Sequence, residues 1–196
     1  MIAFNENLPQ IQQKIARYNP SDVYNTDETG LFYCCAPNRT ISRDRVVRLE
    51  ADKKRITIFF AANADGSHKV DPFFIDHAKK HRCFGKKSGV GLAFVYHSNK
   101  KAWMTGVRFQ EWLMGIDNLM KQAERKVLLL LNNAPSHIVD DMVLAHVEVL
   151  FLPPSTTSIV QPMDGGIIAS FRRHYRRHHY QRAIDKFDAG GTGAQG

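Results

Sequence analysis

The sequence predicts a mixed α/β domain with one central β-sheet. Two patterns lead to this prediction. Runs rich in β-forming residues recur along the chain, and segments with a helical spacing of apolar residues lie between and after the later runs. At 196 residues, with 43% apolar and 23% charged residues, the chain can bury one sizeable core and has the composition of an ordinary globular protein.

Two elements are expected near the N-terminal end. Residues 8–18 favour a short helix, because their apolar side chains fall on one face and Pro20 prevents its continuation. Residues 22–29 alternate as a β-strand does, so successive side chains are expected on opposite faces of the sheet. Gly30 is expected to end this strand.

A β-hairpin is predicted next. Residues 55–62 are rich in β-formers and lead into a strong turn signal over residues 63–67, after which the chain returns through residues 69–75. Pro72 cannot donate a hydrogen bond to a neighbouring strand, so the returning strand is expected to be interrupted or at an edge. Together with the first strand, the hairpin predicts three antiparallel neighbours.

The second half favours alternating helices and strands. Thr105 is a predicted helix N-cap, and the apolar positions that follow it have helical spacing typical of core packing: Phe109, Trp112, Leu113, Ile116, Leu119 and Met120. Residues 127–131 form an unbroken apolar run, as in an interior strand. A helix over residues 135–145, a strand over 147–152 and a long helix from about 163 to 185 complete the predicted order.

One folded domain is expected, over residues 21–187. Residues 1–20 are interpreted as an N-terminal helix and linker, and the Gly-rich residues 188–196 as a disordered tail. No stretch approaches the roughly 18 to 20 apolar residues of a membrane helix, and no signal segment opens the chain. The three cysteines give no even disulfide framework, so reduced thiols are expected.

The net charge of +8 and the sequence pI near 9.5 favour a polyanionic partner. Such partners are held by phosphate neutralisation and counterion release. Much of the excess charge lies in residues 172–182, where five arginines are candidate phosphate contacts: Arg172, Arg173, Arg176, Arg177 and Arg182. A solvated basic helix is the alternative interpretation. The histidines of this run lack the carboxylates of a zinc site.

Five sequence blocks, in order, resemble a known family. They are Asn25–Phe32, Ala62–Ser67, Lys100–Thr105, Leu128–His137 and Phe151–Asp164. Together they resemble the DDE-superfamily endonuclease domain of pogo, Tigger and Jerky-type transposases and their centromere-protein-B-like relatives. The resemblance covers roughly residues 20–185 and implies an RNase H-like fold, an α/β architecture in which helices flank a mixed central β-sheet.

The resemblance also implies a catalytic triad at Asp27, Asn132 and Asp164, with Asp27 and Asp164 as ligands of Mg²⁺ or Mn²⁺. Enzymes of this kind clamp the attacking and leaving oxygens of a phosphodiester between two metal ions. Where the family pattern has its second aspartate, this chain has Asn132, which offers a neutral oxygen in place of a carboxylate. Metal binding and strand cleavage are therefore expected to be weakened or lost.

Each of the three positions has a simpler interpretation as well. Asp27 beside Glu28 fits a charged pair at a strand end, and Asn132 fits a turn former after a strand. Asp164 fits a helix N-cap, a role that is compatible with metal binding. The resemblance, and not the residue types alone, therefore carries the prediction of a site.

Two functional classes follow. The first is a transposase-derived endonuclease-like domain that binds nucleic acid and has impaired or lost cleavage. The second is a non-catalytic DNA- or chromatin-binding module of a domesticated transposase. Both imply DNA as the partner and the nucleus as the location, involve no membrane, and leave a homo-oligomer open. The helix-turn-helix region of family transposases is not expected upstream of residue 20.

Overall fold

The computed structural model describes residues 8–34, 54–81, 84–85, 94–153 and 161–191. Three α-helices and six β-strands are named here in chain order. They are α1 (Leu8–Ile15), β1 (Val23–Leu31), β2 (Ile56–Asn63), β3 (Lys69–Asp76), β4 (Val95–Ser98), α2 (Gly106–Gln122), β5 (Val127–Leu131), β6 (Val147–Phe151) and α3 (Ile168–Gly191). A short 3-10 turn, Pro20–Asp22, precedes β1, and a π-helical turn, Met163–Ile167, precedes α3.

The strands form one six-stranded sheet in the order β4-β3-β2-β1-β5-β6. The three strands β1, β2 and β3 are antiparallel neighbours, as predicted, whereas β5 is parallel to β1 and β6 is parallel to β5. The predicted α/β fold with a mixed central sheet is therefore confirmed. Pairing between β1 and β5 covers only Val23–Asn25, so the second half of β1 extends past the end of β5.

Helices cover both faces of the sheet. On one face, Phe109, Leu113 and other residues of α2 pack against Tyr24, Phe59 and Leu129 in the larger apolar core. On the other face, α1 covers β5 with a smaller cluster, and α3 lies over β2, where the Phe60 and Phe171 rings are 4.9 Å apart. The predicted N-cap is confirmed, because the Thr105 side chain accepts a hydrogen bond from the backbone N–H of Arg108.

Two details of the antiparallel half differ from the sequence prediction, whereas the predicted interruption at Pro72 is confirmed. Gly30 does not end β1, since it pairs with Thr57 inside the ladder. Strand β3 is not at the edge, because β4, which the sequence did not predict, pairs beside it. Pro72 is accommodated by a register shift: Ala61 pairs with Val70 whereas Phe59 pairs with Phe73, which leaves an extra residue on β3 where a proline is tolerated.

The helix predicted over residues 135–145 is wrong. This segment consists of turns, and its apolar side chains Val139, Met142 and Leu144 pack against the larger core. Tertiary hydrogen bonds replace helical ones at its end, because the Asp117 carboxylate of α2 accepts from the backbone N–H groups of residues 145–147. Packing and side-chain acceptors thus override the helical spacing of the sequence.

The last helix begins and ends later than predicted. The α-helix starts at Ile168 and not near residue 163, because Gly166 takes non-helical dihedrals within the π turn. It ends at Gly191, so residues 188–191, which the sequence placed in a disordered tail, are helical. Residues 192–196 and 1–7 lie outside the described residues. Within the part of the chain that is described, no helix is long and apolar enough to span a membrane.

Candidate metal centre

The side chains of Asp27, Asn132 and Asp164 meet where β5 ends beside β1. Asn132 follows the last residue of β5, and its Nδ2 donates a hydrogen bond of 3.3 Å to Oδ1 of Asp27. The Asp164 carboxyl group lies within hydrogen-bonding reach of the Asp27 carboxyl group. The structure therefore brings together the three residues that the sequence comparison singled out, although they are far apart along the chain.

Asn25 aligns the elements that carry these side chains. Its Nδ2 donates to the carbonyl of Leu130 at 3.2 Å, which ties β1 to β5, and its Oδ1 accepts from the backbone N–H of Met163 at 3.0 Å. Gln161 adds a second tie, from its Nε2 to the carbonyl of Thr26 at 3.3 Å. These bonds seat the π turn, and with it Asp164, against the face of β1 that carries Asp27.

Burial gives Asp27 its unusual electrostatics. The residue is 5% exposed. Burial, assisted by a hydrogen bond and the nearby charge of Asp164, raises the pKa of Asp27 to about 7, and the backbone N–H of Glu28 opposes this rise only in part. The Asp27 carboxyl group therefore retains its proton up to near neutral pH, and a cation bound beside it would favour the ionised form.

Glu28 points to the opposite face of β1 and has imidazole and hydroxyl partners there. Its Oε2 is 3.2 Å from Nε2 of His137, and its Oε1 accepts from the Ser136 hydroxyl at 3.4 Å. The other ring nitrogen of His137 is 3.0 Å from the carbonyl oxygen of Asn132. Burial alone lowers the pKa of His137, but these two hydrogen bonds outweigh it and raise the pKa. Glu28 is thus committed to His137 and does not replace the carboxylate missing at position 132.

The donor atoms of the site suit a hard divalent ion. Asp27 and Asp164 supply carboxylate oxygens, and Oδ1 of Asn132 is buried with no hydrogen-bond partner in the described part of the chain. Mg²⁺ and Mn²⁺ accept such oxygens and complete their shells with water and substrate. Within the same described residues, no three His, Cys, Asp or Glu side chains are grouped to hold a metal. The residues therefore fit one divalent ion. They lack the third carboxylate with which the family triad holds two ions.

The basic residues of α3 divide into an anchor and an exposed stripe. Arg172 is half-buried and donates from Nη2 to the Gly30 carbonyl at 3.5 Å, which ties α3 to β1. Arg173, Arg176 and Arg177 are exposed and share one helical face. Arg182 is also exposed, but it lies nine residues beyond Arg173, about two and a half turns, and so on the opposite face.

Sequence reasoning missed Asn25, Gln161 and His137, all of which are buried and polar. A signal for Asn25 was present, because strand alternation places it on the same face as Asp27, where a buried amide needs partners. His137 lay in a segment predicted as helix, so its role in joining Glu28 to the Asn132 carbonyl was hidden. Gln161 lies just before the predicted start of the last helix, where the sequence gives no periodic signal.

The fold and the site define a class: an RNase H-like domain with acidic side chains gathered beside the central strand. The chain belongs to the DDE superfamily endonuclease family, whose model matches residues 53–192. This finding confirms the family that the sequence blocks indicated, and with it a transposase-derived endonuclease-like domain.

Three relatives support this assignment. The chain is 33% identical to CENP-B homolog protein 2 of Schizosaccharomyces pombe over 95% of its length, and 34% identical to human Jerky protein homolog over 78%. It is 32% identical to Tigger transposable element-derived protein 4 of Mus musculus over 81%. The matches cover only 38%, 29% and 31% of these relatives, so the chain spans about a third of their length.

Solved structures of Mos1 transposase share the fold. A paired-end complex with the left transposon end has a TM-score of 0.54 at 13% identity, covering 98% of this chain and 54% of that one. A mariner paired-end complex with Mn has a TM-score of 0.56 at 15% identity, covering 93% and 52%. At such low identities the likeness establishes the RNase H-like fold, and the chemistry of this chain has to be argued from its own residues.

Proposed function

We propose that this chain is a nucleic-acid-binding DDE endonuclease-like domain in which metal-dependent strand cleavage is impaired. The observation that carries the proposal is Asn132, whose amide donates a hydrogen bond to the same Asp27 carboxyl group that Asp164 approaches. Asp27, Asn132 and Asp164 occupy the three triad positions of the family pattern. Only two of them can contribute negative charge to a divalent ion.

The chemistry at this site depends on charge. A pair of Mg²⁺ or Mn²⁺ ions, when bound in such sites, stabilises the attacking and leaving oxygens of a phosphodiester. In this chain Asp27 and Asp164 would hold one ion, and the Asn132 oxygen would be a neutral ligand. Asp27 must also release the proton that its raised pKa retains near neutral pH, which weakens ion binding further.

The exposed stripe of α3, formed by Arg173, Arg176 and Arg177, supports binding to nucleic acid. The helix is 24 residues long, about 36 Å, and presents these guanidinium groups just beyond the turn that carries Asp164. One of the similar structures holds Mos1 transposase with a transposon end. A DNA backbone held by the stripe would lie close to the carboxylates, as a cleavage substrate must.

The remaining assignments follow from this one and are part of the proposal. A nuclear location is part of the proposal, because DNA is the proposed ligand and one relative is named CENP-B homolog protein 2. Residues 21–187 are proposed as the domain, with the helical extension to Gly191 added. A homo-oligomer stays open, and no membrane contact is proposed.

A non-catalytic DNA- or chromatin-binding module is the second candidate. The hydrogen bond from Asn132 to Asp27 favours it, because the amide satisfies an acid that a third carboxylate would repel. The pocket then holds together through its own hydrogen bonds, without needing an ion to balance its charge. Such a domain would retain DNA affinity through α3 while its inherited site does no chemistry.

Binding is tested by the salt dependence of affinity for a 20-base-pair duplex. Replacing Arg173, Arg176 and Arg177 together with Ala should weaken binding to all sequences alike. It should also lower the slope of log K against log salt by about 0.9 for each lost phosphate contact. Arg182→Ala is the matched control from the opposite helical face and should have the smaller effect. An unchanged slope in the triple variant would show that the stripe is only solvated.

Cleavage is tested with supercoiled plasmid in Mg²⁺ and in Mn²⁺. The unaltered chain should nick slowly or not at all, and Asn132→Asp, which restores the third carboxylate at nearly constant volume, should increase nicking, most of all in Mn²⁺. Asp27→Ala in the same background should abolish it. Robust Mg²⁺-dependent cleavage by the unaltered chain, lost in Asp27→Ala, would overturn the proposed impairment. Inactivity of both forms with intact DNA binding would favour the second candidate.

A further inference from the structure

The block Lys100–Thr105 presents a tryptophan to solvent. Its neighbours Ala102 and Met104 are buried, whereas Trp103 is 54% exposed, so the alternation of the chain directs the indole outwards. Asn99 holds the turn: its Oδ1 accepts from the backbone N–H groups of Lys101 and Trp103, and its Nδ2 donates to the Trp103 carbonyl at 2.7 Å. A rigid turn therefore carries a large aromatic ring that the core does not use.

Arg55 lies against one face of this ring. Its guanidinium carbon is 5.1 Å from the Trp103 ring centroid, within the range of a cation–π contact. The guanidinium is fixed by a hydrogen bond from Nη2 to the Thr57 hydroxyl at 2.8 Å. Because the cation covers one face, the exposed area of the indole is on its other face and edges. Lys100 and Lys101, both exposed, flank the ring along the chain.

The same arginine reaches the strand that carries Asp27. Arg55 packs on Gly30, where an added Cβ would lie 3.2 Å from the guanidinium carbon. Arg172 of α3 bonds to the carbonyl of this same Gly30. Gly30 is three residues beyond Asp27 in β1, about 10 Å along an extended strand. Arg55 and Arg172 therefore both contact Gly30, and Arg55 links this end of β1 to Trp103.

We propose that Trp103, backed by Arg55 and flanked by Lys100 and Lys101, is a stacking platform for an unpaired base of a nucleic-acid strand. The inference rests on the proposed nucleic-acid binding and adds the class of ligand at this place. Aromatic rings bind bases of any sequence by stacking, and neighbouring cations hold the phosphates of the same strand. A nucleic-acid strand bound in this way would be single-stranded where it meets Trp103, because the bases of a duplex are already paired and stacked.

The fluorescence of Trp103 tests this directly. The chain has two tryptophans, so Trp112→Phe leaves Trp103 as the sole indole reporter, while Trp112 itself is partly buried beside Phe59. Titration of the full chain carrying Trp112→Phe with a 15-nucleotide oligothymidine should quench the emission at the concentrations where binding occurs. A duplex of the same length should quench it less, because its bases are already stacked.

Affinity measurements separate stacking from charge. Trp103→Ala should lower affinity for the oligothymidine about tenfold and leave the salt slope unchanged, whereas Trp103→Phe should retain most of the affinity. Trp112→Phe is the matched control and should bind as the unaltered chain does. If Trp103→Ala does not fold, the quenching experiment on the Trp112→Phe variant still decides.

The possible failures are distinguishable. Absence of quenching, or full affinity in Trp103→Ala while the α3 arginine triple variant flattens the salt slope, would overturn the stacking platform and leave the proposed function intact. If the unaltered chain binds neither single-stranded nor duplex DNA, the proposed function falls, and the platform falls with it.

Discussion

Two carboxylates on adjacent residues of β1, Asp27 and Glu28, lie in opposite environments. On the α3 face, Asp27 is buried beside a second acid, Asp164, and its pKa is raised to about 7. On the α2 face, Glu28 contacts the ring of His137 and the Ser136 hydroxyl. Arg55 is also near: burial lowers the pKa of its guanidinium, and the charge of Glu28 opposes this only in part. The period of two in a strand separates two acids that are neighbours in sequence.

This difference indicates which acid stabilises the fold and which one is available to bind a cation. Glu28 has its charge balanced by protein groups, so its removal should cost stability. Asp27 has its charge opposed by burial and by Asp164, so its removal should increase stability. A residue that destabilises its own fold is the better candidate for a site, because function and not packing retains it.

The largest expected effect is on the α2 face of β1, where protein groups balance the charge of Glu28. The His137 side chain is fully buried, and its ring centroid lies 4.5 Å from that of Phe109. His137→Ala removes this ring and leaves Glu28 without its main partner. Unfolding in urea should show a loss on the order of 3 kcal/mol.

This loss should also depend on pH. Hydrogen bonding raises the folded-state pKa of His137, so its contribution is complete below the unfolded pKa, near 6.5, and disappears as the pH rises through the folded value. The loss should therefore be larger at pH 6 than at pH 9. Glu28→Gln, which keeps an acceptor at the same place, should cost less. Equal losses at both pH values would show that the His137–Glu28 contact is not charged.

A smaller effect of opposite sign is expected on the α3 face of β1, which carries Asp27. Because the folded-state pKa of Asp27 is about 7, above its ordinary value of 3.8, the unaltered protein loses stability as the pH rises between these two values. Asp27→Asn removes this loss. Its advantage in unfolding free energy should be greater at pH 8 than at pH 5 by on the order of 2 kcal/mol, at about 1.4 kcal/mol for each tenfold step. A pH-independent difference in urea unfolding would contradict the environment assigned to Asp27.

The smallest expected effect concerns ion affinity. Asn132→Asp adds a third carboxylate beside Asp27 and Asp164. The Mn²⁺ affinity measured by calorimetry should therefore rise about tenfold, roughly 1.4 kcal/mol. Without the ion this variant should be less stable at pH 8 than the unaltered chain, because three acids then repel one another. Glu28→Gln is the matched control, and its affinity should not change. If Glu28→Gln instead lowered Mn²⁺ affinity about tenfold, Glu28 would be a ligand of the ion.

Much of the fold could be predicted from the sequence. Strong period-two and period-3.6 patterns located β1, β2, β3, β5, β6 and both long helices, and turn chemistry located the hairpin between β2 and β3. The positions of Asp27, Asn132 and Asp164 could be proposed only through the resemblance to a family, because each has an ordinary local interpretation. The structure brings the Asn132 amide and the Asp164 carboxyl group to the Asp27 carboxyl group.

By itself the sequence determined five of the six strands and the two long helices, and that position 132 lacks a carboxylate. The tertiary structure decided what the buried polar groups do. It turned residues 135–145 away from the predicted helix, because core packing and the Asp117 carboxylate replaced helical bonds. It also set Asp27 against Asp164 and Glu28 against His137. Local patterns encode periodicity, whereas electrostatic environment arises from residues over a hundred positions apart, which only the folded chain brings into contact.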